Sequence, residues 1–205
     1  AVTAGPARRF IVGDPTIQLI DVLAGRTLDH VAGAEKLASK GEVVAGSEVL
    51  LSLAENADVV EWRTAAGGEQ YAVIRDLKNW PEPAPYPPLA GLDIPEDVAK
   101  RWVLNPVYNR LKIGAKFLAE LRPTVALFLR FTGIDYDNDE DAGRKLDAYI
   151  RWLQAAAQEQ EGFLIQVTIG DKGSYVYFSF GAPVAHDDDS MRAVAAALEM
   201  MQLPD

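Results

Sequence analysis

Apolar positions in this chain switch repeatedly between helical and strand spacing, and the switches divide it into pieces. From Phe10 the run FIV meets the turn Gly13-Asp14-Pro15, after which Ile17, Ile20, Leu23 and Ala24 share one face at helical spacing. A second helix is predicted over 27–40, with Thr27 as its cap and Gly41 as its stop. Residues 42–45 read as a strand, and Ser47 followed by Val49, Leu50, Leu51 and Leu53 reads as a short helix. Residues 57–64 and 70–76 alternate as a hairpin around Gly67-Gly68. This first piece, 1–78, is a small α/β half-module without a complete core of its own.

Six of the 12 prolines fall within residues 81–95. Proline at that density removes donors from helix and sheet alike, so 79–95 is expected to be an extended, stiff connector. A helix is predicted over 95–117, with Trp102, Val103, Val107, Tyr108 and Leu111 as packing residues, and 96–120 leads into the last piece.

That last piece, 121–205, is more regular. RPTVALFLRF has nearly continuous apolar positions, as for a strand covered on both faces. Asp141 is placed to cap a long helix whose stripe is Leu146, Tyr149, Ile150, Leu153 and Ala157, with Gly162 as its stop. FLIQVTI and SYVYFSF are joined by Gly170-Asp171-Lys172-Gly173, a tight hairpin turn. DDDSMRAVAAALEMM then makes a helix with acids at its positive end. The order β-α-β-β-α is most of a ferredoxin-like unit lacking its last strand, in an α+β fold with helices on one face of the sheet.

Composition removes several function classes. The 205 residues include 20 Lys and Arg against 30 Asp and Glu, a net charge of -10, which argues against bulk binding to nucleic acid or anionic lipid. There is no cysteine, so disulfides, thiolate nucleophiles and cysteine metal sites are excluded. No apolar run approaches the roughly 18 residues of a membrane helix. No signal peptide is read at the start, and the cytoplasm is the expected compartment.

Candidate chemistry is sparse. Asp at alternate positions over 135–141 resembles the opening of a calcium loop, but counting from Asp135 puts Glu140 where glycine is required and Leu146 where a bidentate Glu is required. Helix capping in a solvated loop is the expected role. His186-Asp187-Asp188-Asp189 precedes a helix and fits macrodipole stabilisation, and His30 lies in a predicted amphipathic helix. Neither GxxxxGK[ST] nor GxGxxG occurs. Asp171 at its hairpin tip could hold a divalent cation if a second carboxylate faced it.

The last piece resembles the class III adenylate/guanylate cyclase homology domain, through VALFLRFTGI, the helix after it, QVTIGDKGSYVYFSFGAP and HDDDSMRAVAAALEM. The first piece resembles the later half of the same domain, through VGDPTIQLIDVLAGRTL followed by KGEVVAGSEV. Together these cover about 130 of 205 residues. The resemblance implies the end of one cyclase-like domain, a linker and the start of another, within a larger tandem signalling protein. It implies a cyclase-type sheet, a homodimer or tandem pseudo-dimer, ATP or GTP as ligand, and Mg²⁺ or Mn²⁺ as cofactor.

In that family the site forms between two domains. One supplies two metal-holding aspartates, the other an Asn and an Arg for the charge of the transition state. Here the first aspartate position reads Arg130, and Asp171 matches the second. The base-selecting Lys position reads Gln166, the Asn position Gln18, and the Arg position Val22. Nucleotide contacts are expected from Arg130, Thr132, Gly133, Gln166, Gly170 and Asp171. A guanidinium about 4 Å from Mg²⁺ would be repelled by roughly 4 kcal/mol per unit charge at an effective dielectric of 20. Each lost charge contact costs on the order of 10²- to 10³-fold in rate, so the expectation is a silent site used for dimerisation or nucleotide sensing. The alternative is an active cyclase making a 3',5'-cyclic nucleotide and pyrophosphate at a second site.

Overall fold

The structure is a computed structural model that describes residues 1–88, 93–114, 121–170 and 173–202. These residues form a mixed α and β fold with three small sheets, and contacts divide them into two compact units. The first unit holds 1–8, 23–88 and 169–170; the second holds 9–22, 93–114, 121–168 and 173–202.

In the first unit, β3 (Val43–Gly46), β4 (Ala57–Thr64) and β5 (Gln70–Leu77) form an antiparallel sheet in the order β3-β5-β4. The β4-β5 hairpin predicted around Gly67-Gly68 is present, with register shifts between Asp58 and Glu61. Helices α1 (Arg26–Leu37) and α2 (Ser47–Leu53) complete the unit. Ala34 of α1 packs with Val44, Tyr71 and Val73 in its core. Thr27 does not cap α1: the cap position is Gly25, and the Thr27 hydroxyl donates to the Pro6 carbonyl at 2.6 Å. Residues 81–88 adopt neither helix nor strand and are exposed, as the proline density predicts.

The second unit opens with β1 (Arg8–Val12) and β2 (Ile20–Ala24), whose terminal residues Arg8, Leu23 and Ala24 fall in the first. The helix expected through Ile17 to Ala24 is therefore a strand after Leu19. Asp21, Val22, Leu23 and Ala24 alternate exposed and buried, and Ile20 and Val22 carry the β-branching that favours this. Over five residues the two periods cannot be separated by spacing alone.

The single helix predicted over 95–117 is instead α3 (Glu96–Lys100) and α4 (Asn105–Lys112), with 115–117 outside the described residues. Pro106 explains the break. In a continuous helix it would lack a donor and collide with the carbonyl four residues back, whereas in the first turn of α4 it costs nothing.

Next come β6 (Val125–Phe131), α5 (Ala142–Glu159), β7 (Phe163–Gly170), β8 (Gly173–Phe180) and α6 (Asp189–Glu199). The strand order is β6-β8-β7, with β6 antiparallel to β8 from Val125 opposite Phe180 to Phe131 opposite Ser174. The inner face carries Val176, Phe178, Phe180 and Phe131 into a core with Leu146, Ile150 and Leu153 of α5 and Ala193 and Ala196 of α6. The predicted α5 stripe is buried except for Tyr149, which is half-buried with its ring 4.9 Å from that of Phe131.

β6 is not covered on both faces. Ala126, Phe128 and Arg130 are exposed on the outer face, and the Phe128 ring stacks on Tyr177 opposite it at 4.8 Å. That stack gives the apolar run a partner without a second covering layer.

Gly162 is not the residue that turns the chain at the end of α5; Glu161, at φ 56°, adopts the left-handed conformation. Gly162 is needed for a different reason. A β-carbon there would stand 2.3 Å from the buried Phe180 ring.

Candidate functional site

The end of β6 opens into a cavity of about 440 Å³ lined by Arg130, Thr132, Lys145, Tyr149 and Met200, among others. Strand pleating sets this up. Arg130 leaves the outer face opposite Tyr175, and Phe131 turns inward against Tyr149.

Arg130 lies against the start of β8. A β-carbon at Gly173 would come within 3.1 Å of its Nε and 3.3 Å of an Nη, and Gly173 has φ 92°, so only glycine meets both demands without strain. The guanidinium therefore packs on backbone two residues beyond Asp171. Asp171 itself lies outside the described residues.

Lys145, on the second turn of α5, brings a second cation to the cavity and pairs with Asp139 at 2.7 Å. That hydrogen bond, more than the bare charge, holds the Asp139 carboxyl below its ordinary range. Burial pushes the Tyr149 phenol up. Among the described lining residues there are two cations and no carboxylate, which is the wrong donor set for Mg²⁺ or Mn²⁺. No group of three or more His, Asp or Glu side chains suited to a metal occurs among the described residues.

The other expected site residues are dispersed. Gly133, at φ 100°, follows Thr132 beside the cavity. Gly170 ends β7, and Gln166, exposed on β7, donates to the Thr168 hydroxyl at 3.0 Å. Val22 is buried in β2, 3% exposed, where an arginine would have to be desolvated. Gln18 lies in the β1-β2 loop. Its carbonyl accepts from Gln154 Nε2 at 2.8 Å, and its own Oε1 is buried without a hydrogen-bond partner. Neither Gln18 nor Val22 lines the cavity.

A clasp that sequence reasoning missed fixes that loop. The side chain of Gln154, 2% exposed, accepts from the Asp14 N–H at 2.7 Å and donates to the Gln18 carbonyl. Asp147, two turns earlier on α5, accepts from the Gly13 N–H at 2.8 Å. The legible signal was a glutamine on the α5 stripe beside Leu153, an amide where periodicity calls for an aliphatic residue.

The acidic stretch over 135–141 is occupied internally. Asp135 accepts from the Asp137 and Asn138 N–H groups, Asp139 from that of Asp141, and Asp141 pairs with Arg144 at 3.1 Å. Asp141 occupies the cap position of α5 but makes no capping bond through its side chain. His186 stands between Glu161 and Asp189 at 3.2 and 3.3 Å, and His30 faces Glu48 at 3.8 Å. No helix among the described residues is long and apolar enough to cross a membrane.

No protein-family model matches this chain, and no curated protein does.

Proposed function

We propose that the chain is a cyclase-homology module of a signalling protein, catalytically degenerate at the site it forms, and acting in nucleotide sensing or dimerisation. The observation that carries this reading is the Arg130 guanidinium resting on the Gly173 backbone, at the position where the resemblance expects a metal-holding carboxylate. A guanidinium there repels a divalent cation but binds phosphate oxygens directly through charge-assisted hydrogen bonds. Lys145 across the same cavity adds a second positive charge for the same ligand.

Topology supports the reading. The succession β6-α5-β7-β8-α6, with β8 between β6 and β7, has the order of a ferredoxin-like unit short of its last strand. The outer face, where Phe128 is 65% exposed, offers apolar area for a second cyclase-like domain. Val22 and Gln18 offer no charge to a transition state, so the module is expected to hold a nucleotide rather than turn it over.

The test is calorimetric titration with ATP and GTP in EDTA, repeated with excess Mg²⁺. Binding in EDTA, undiminished by the absence of metal and weakened about tenfold or more in Arg130→Gln, is the expected result. Binding that requires Mg²⁺, or cyclic nucleotide formed by the chain alone, would overturn it. No binding, together with a concentration-dependent dimer in sedimentation, would leave dimerisation as the function.

A further inference from the structure

Every residue over 80–88 is either a proline or the residue before one. The ring fixes φ at about -65° in Pro81, Pro83, Pro85, Pro87 and Pro88. Its Cδ clashes with a helical residue in front of it, so Trp80, Glu82, Ala84 and Tyr86 are driven to extended angles. A chain restrained in this way at each position occupies the polyproline II basin, a left-handed helix of about three residues per turn. At about 3.1 Å per residue, 80–88 spans about 28 Å.

Residues 81–88 are exposed, and no hydrogen bond engages them among the described residues. Their carbonyls are open to a partner. The root of the segment, by contrast, is fixed. The Asn79 N–H donates to Asn56 Oδ1 at 2.7 Å, and the Asn79 carbonyl accepts from Asn56 Nδ2 at 2.9 Å. The Lys78 N–H donates to the Asn56 carbonyl at 2.8 Å. The Trp80 indole N–H donates to Asp76 at 3.1 Å, while Trp80 as a whole stays 74% exposed.

The period of the helix sets Trp80, Pro83 and Tyr86 in one row and Glu82, Pro85 and Pro88 in another. Tyr86 is 97% exposed, so the fold covers almost none of an aromatic side chain that gains from meeting an apolar surface. A ridge this stiff loses little conformational entropy on docking, and the property that makes it a spacer also makes it a ligand. Residues 79–88 hold one acid, Glu82, and no Lys or Arg. A groove with a neutral or basic rim matches that charge, and an acidic rim opposes it.

We propose that residues 80–88 dock into a protein domain that reads polyproline II helix. The partner's groove is lined by aromatic rings that receive Pro85, Tyr86 and Pro88, and its indole or phenol donors meet the open carbonyls. Its rim is neutral or basic. Docking here does not rest on the cyclase reading and would survive its failure.

The experiment titrates the 205-residue chain into an isotope-labelled WW domain with a neutral or basic groove, and separately into an SH3 domain with an acidic one. Amide shifts of the labelled domain are followed into the millimolar range. Saturable shifts at the groove aromatics of the WW domain are expected, with the SH3 domain binding at least about tenfold more weakly. Tyr86→Ala and Pro85→Ala should each weaken the WW complex about tenfold or more. Both positions lie outside helix, strand and core, so these variants should keep the parent's melting temperature. Leu51→Ser, at an 83% exposed apolar position on α2, should leave binding unchanged and separates groove docking from general apolar adhesion.

No saturable shift in the WW domain, equal or tighter binding to the acidic groove, full binding by Tyr86→Ala and Pro85→Ala, or equal weakening by Leu51→Ser would each overturn the proposal and leave 80–88 a spacer only.

Discussion

Replacing Gln154 by leucine tests what holds the β1-β2 loop to α5. The side chain is 2% exposed and both ends of its amide are used, accepting from the Asp14 N–H at 2.7 Å and donating to the Gln18 carbonyl at 2.8 Å. Leucine is close to glutamine in volume, so Gln154→Leu removes two hydrogen bonds without opening a large cavity. A buried polar group left without a partner costs about 1–3 kcal/mol. Asp14 and Gln18 are half-buried, so water recovers part of each loss and about 2 kcal/mol in total is expected. That corresponds to roughly a 30-fold larger open population. Hydrogen exchange reads it directly. Amides over 13–19 should exchange about 30-fold faster in Gln154→Leu, while those of β3 and β5 in the other unit stay unchanged. Gln154→Glu keeps an acceptor for Asp14 but turns an oxygen toward the Gln18 carbonyl, so its loop should open when the carboxyl ionises and close as pH falls. Unchanged exchange over 13–19 in Gln154→Leu, or a uniform rise across both units, would refute the clasp.

Gly162→Ala would place a β-carbon 2.3 Å from the buried Phe180 ring, and overpacking of that kind should destabilise the second unit by about 1–3 kcal/mol in thermal denaturation; a variant as stable as the parent would mean Phe180 can move aside. The Arg63 guanidinium, with help from the Ser39 N–H, lowers the Glu42 carboxyl from 4.5 to about 2. A depressed carboxyl contributes stability above pH 4.5 that is lost as pH falls toward 2, so urea midpoints of the parent should converge on those of Glu42→Gln across that window; parallel curves would count against the pairing. Tyr71→Phe removes a hydroxyl that donates to the His30 carbonyl at 3.1 Å and should cost about 1 kcal/mol in urea unfolding. Arg130→Asp should convert metal-independent ATP binding into binding that needs Mg²⁺ or Mn²⁺, read by titration with and without EDTA; binding indifferent to the substitution would remove Arg130 from the site.

What the sequence made legible depended on the length over which a pattern ran. The α5 stripe and the β4-β5 hairpin each extend over eight residues or more, and both are present. The five residues 20–24 fit helix and strand equally well, and the structure makes them a strand. The proline-dense residues 81–88 adopt neither helix nor strand, and Pro106, whose missing donor a continuous helix cannot accommodate, breaks the helix expected over 95–117 into α3 and α4. Glycine at 162 pointed to a helix stop, whereas the structure uses it for close approach to Phe180, a tertiary fact that no local pattern carries. Of the residues that line the cavity, Arg130 and Thr132 are ones the cyclase resemblance points to. Lys145 and Tyr149 were not found, because their helical spacing marks them only as part of an amphipathic face.

The charge balance of the whole chain also means less locally than it does globally. Of 30 acidic residues, none falls within β6, β7 or β8, and Arg130 is the one charged residue those three strands contain. At the end of β6 Arg130 shares a cavity with Lys145, which is paired with Asp139 at 2.7 Å. A polyanion samples the averaged field of a chain at -10 and is repelled. A small anion inside that cavity samples the groups within a Debye length of about 8 Å, where Arg130 and Lys145 line the wall and Asp139 offsets part of the Lys145 charge. A composition that disfavours nucleic acid is therefore compatible with the nucleotide-sensing role proposed for the Arg130 cavity, and raising ionic strength should weaken binding there far less steeply than it weakens contact with a polyphosphate.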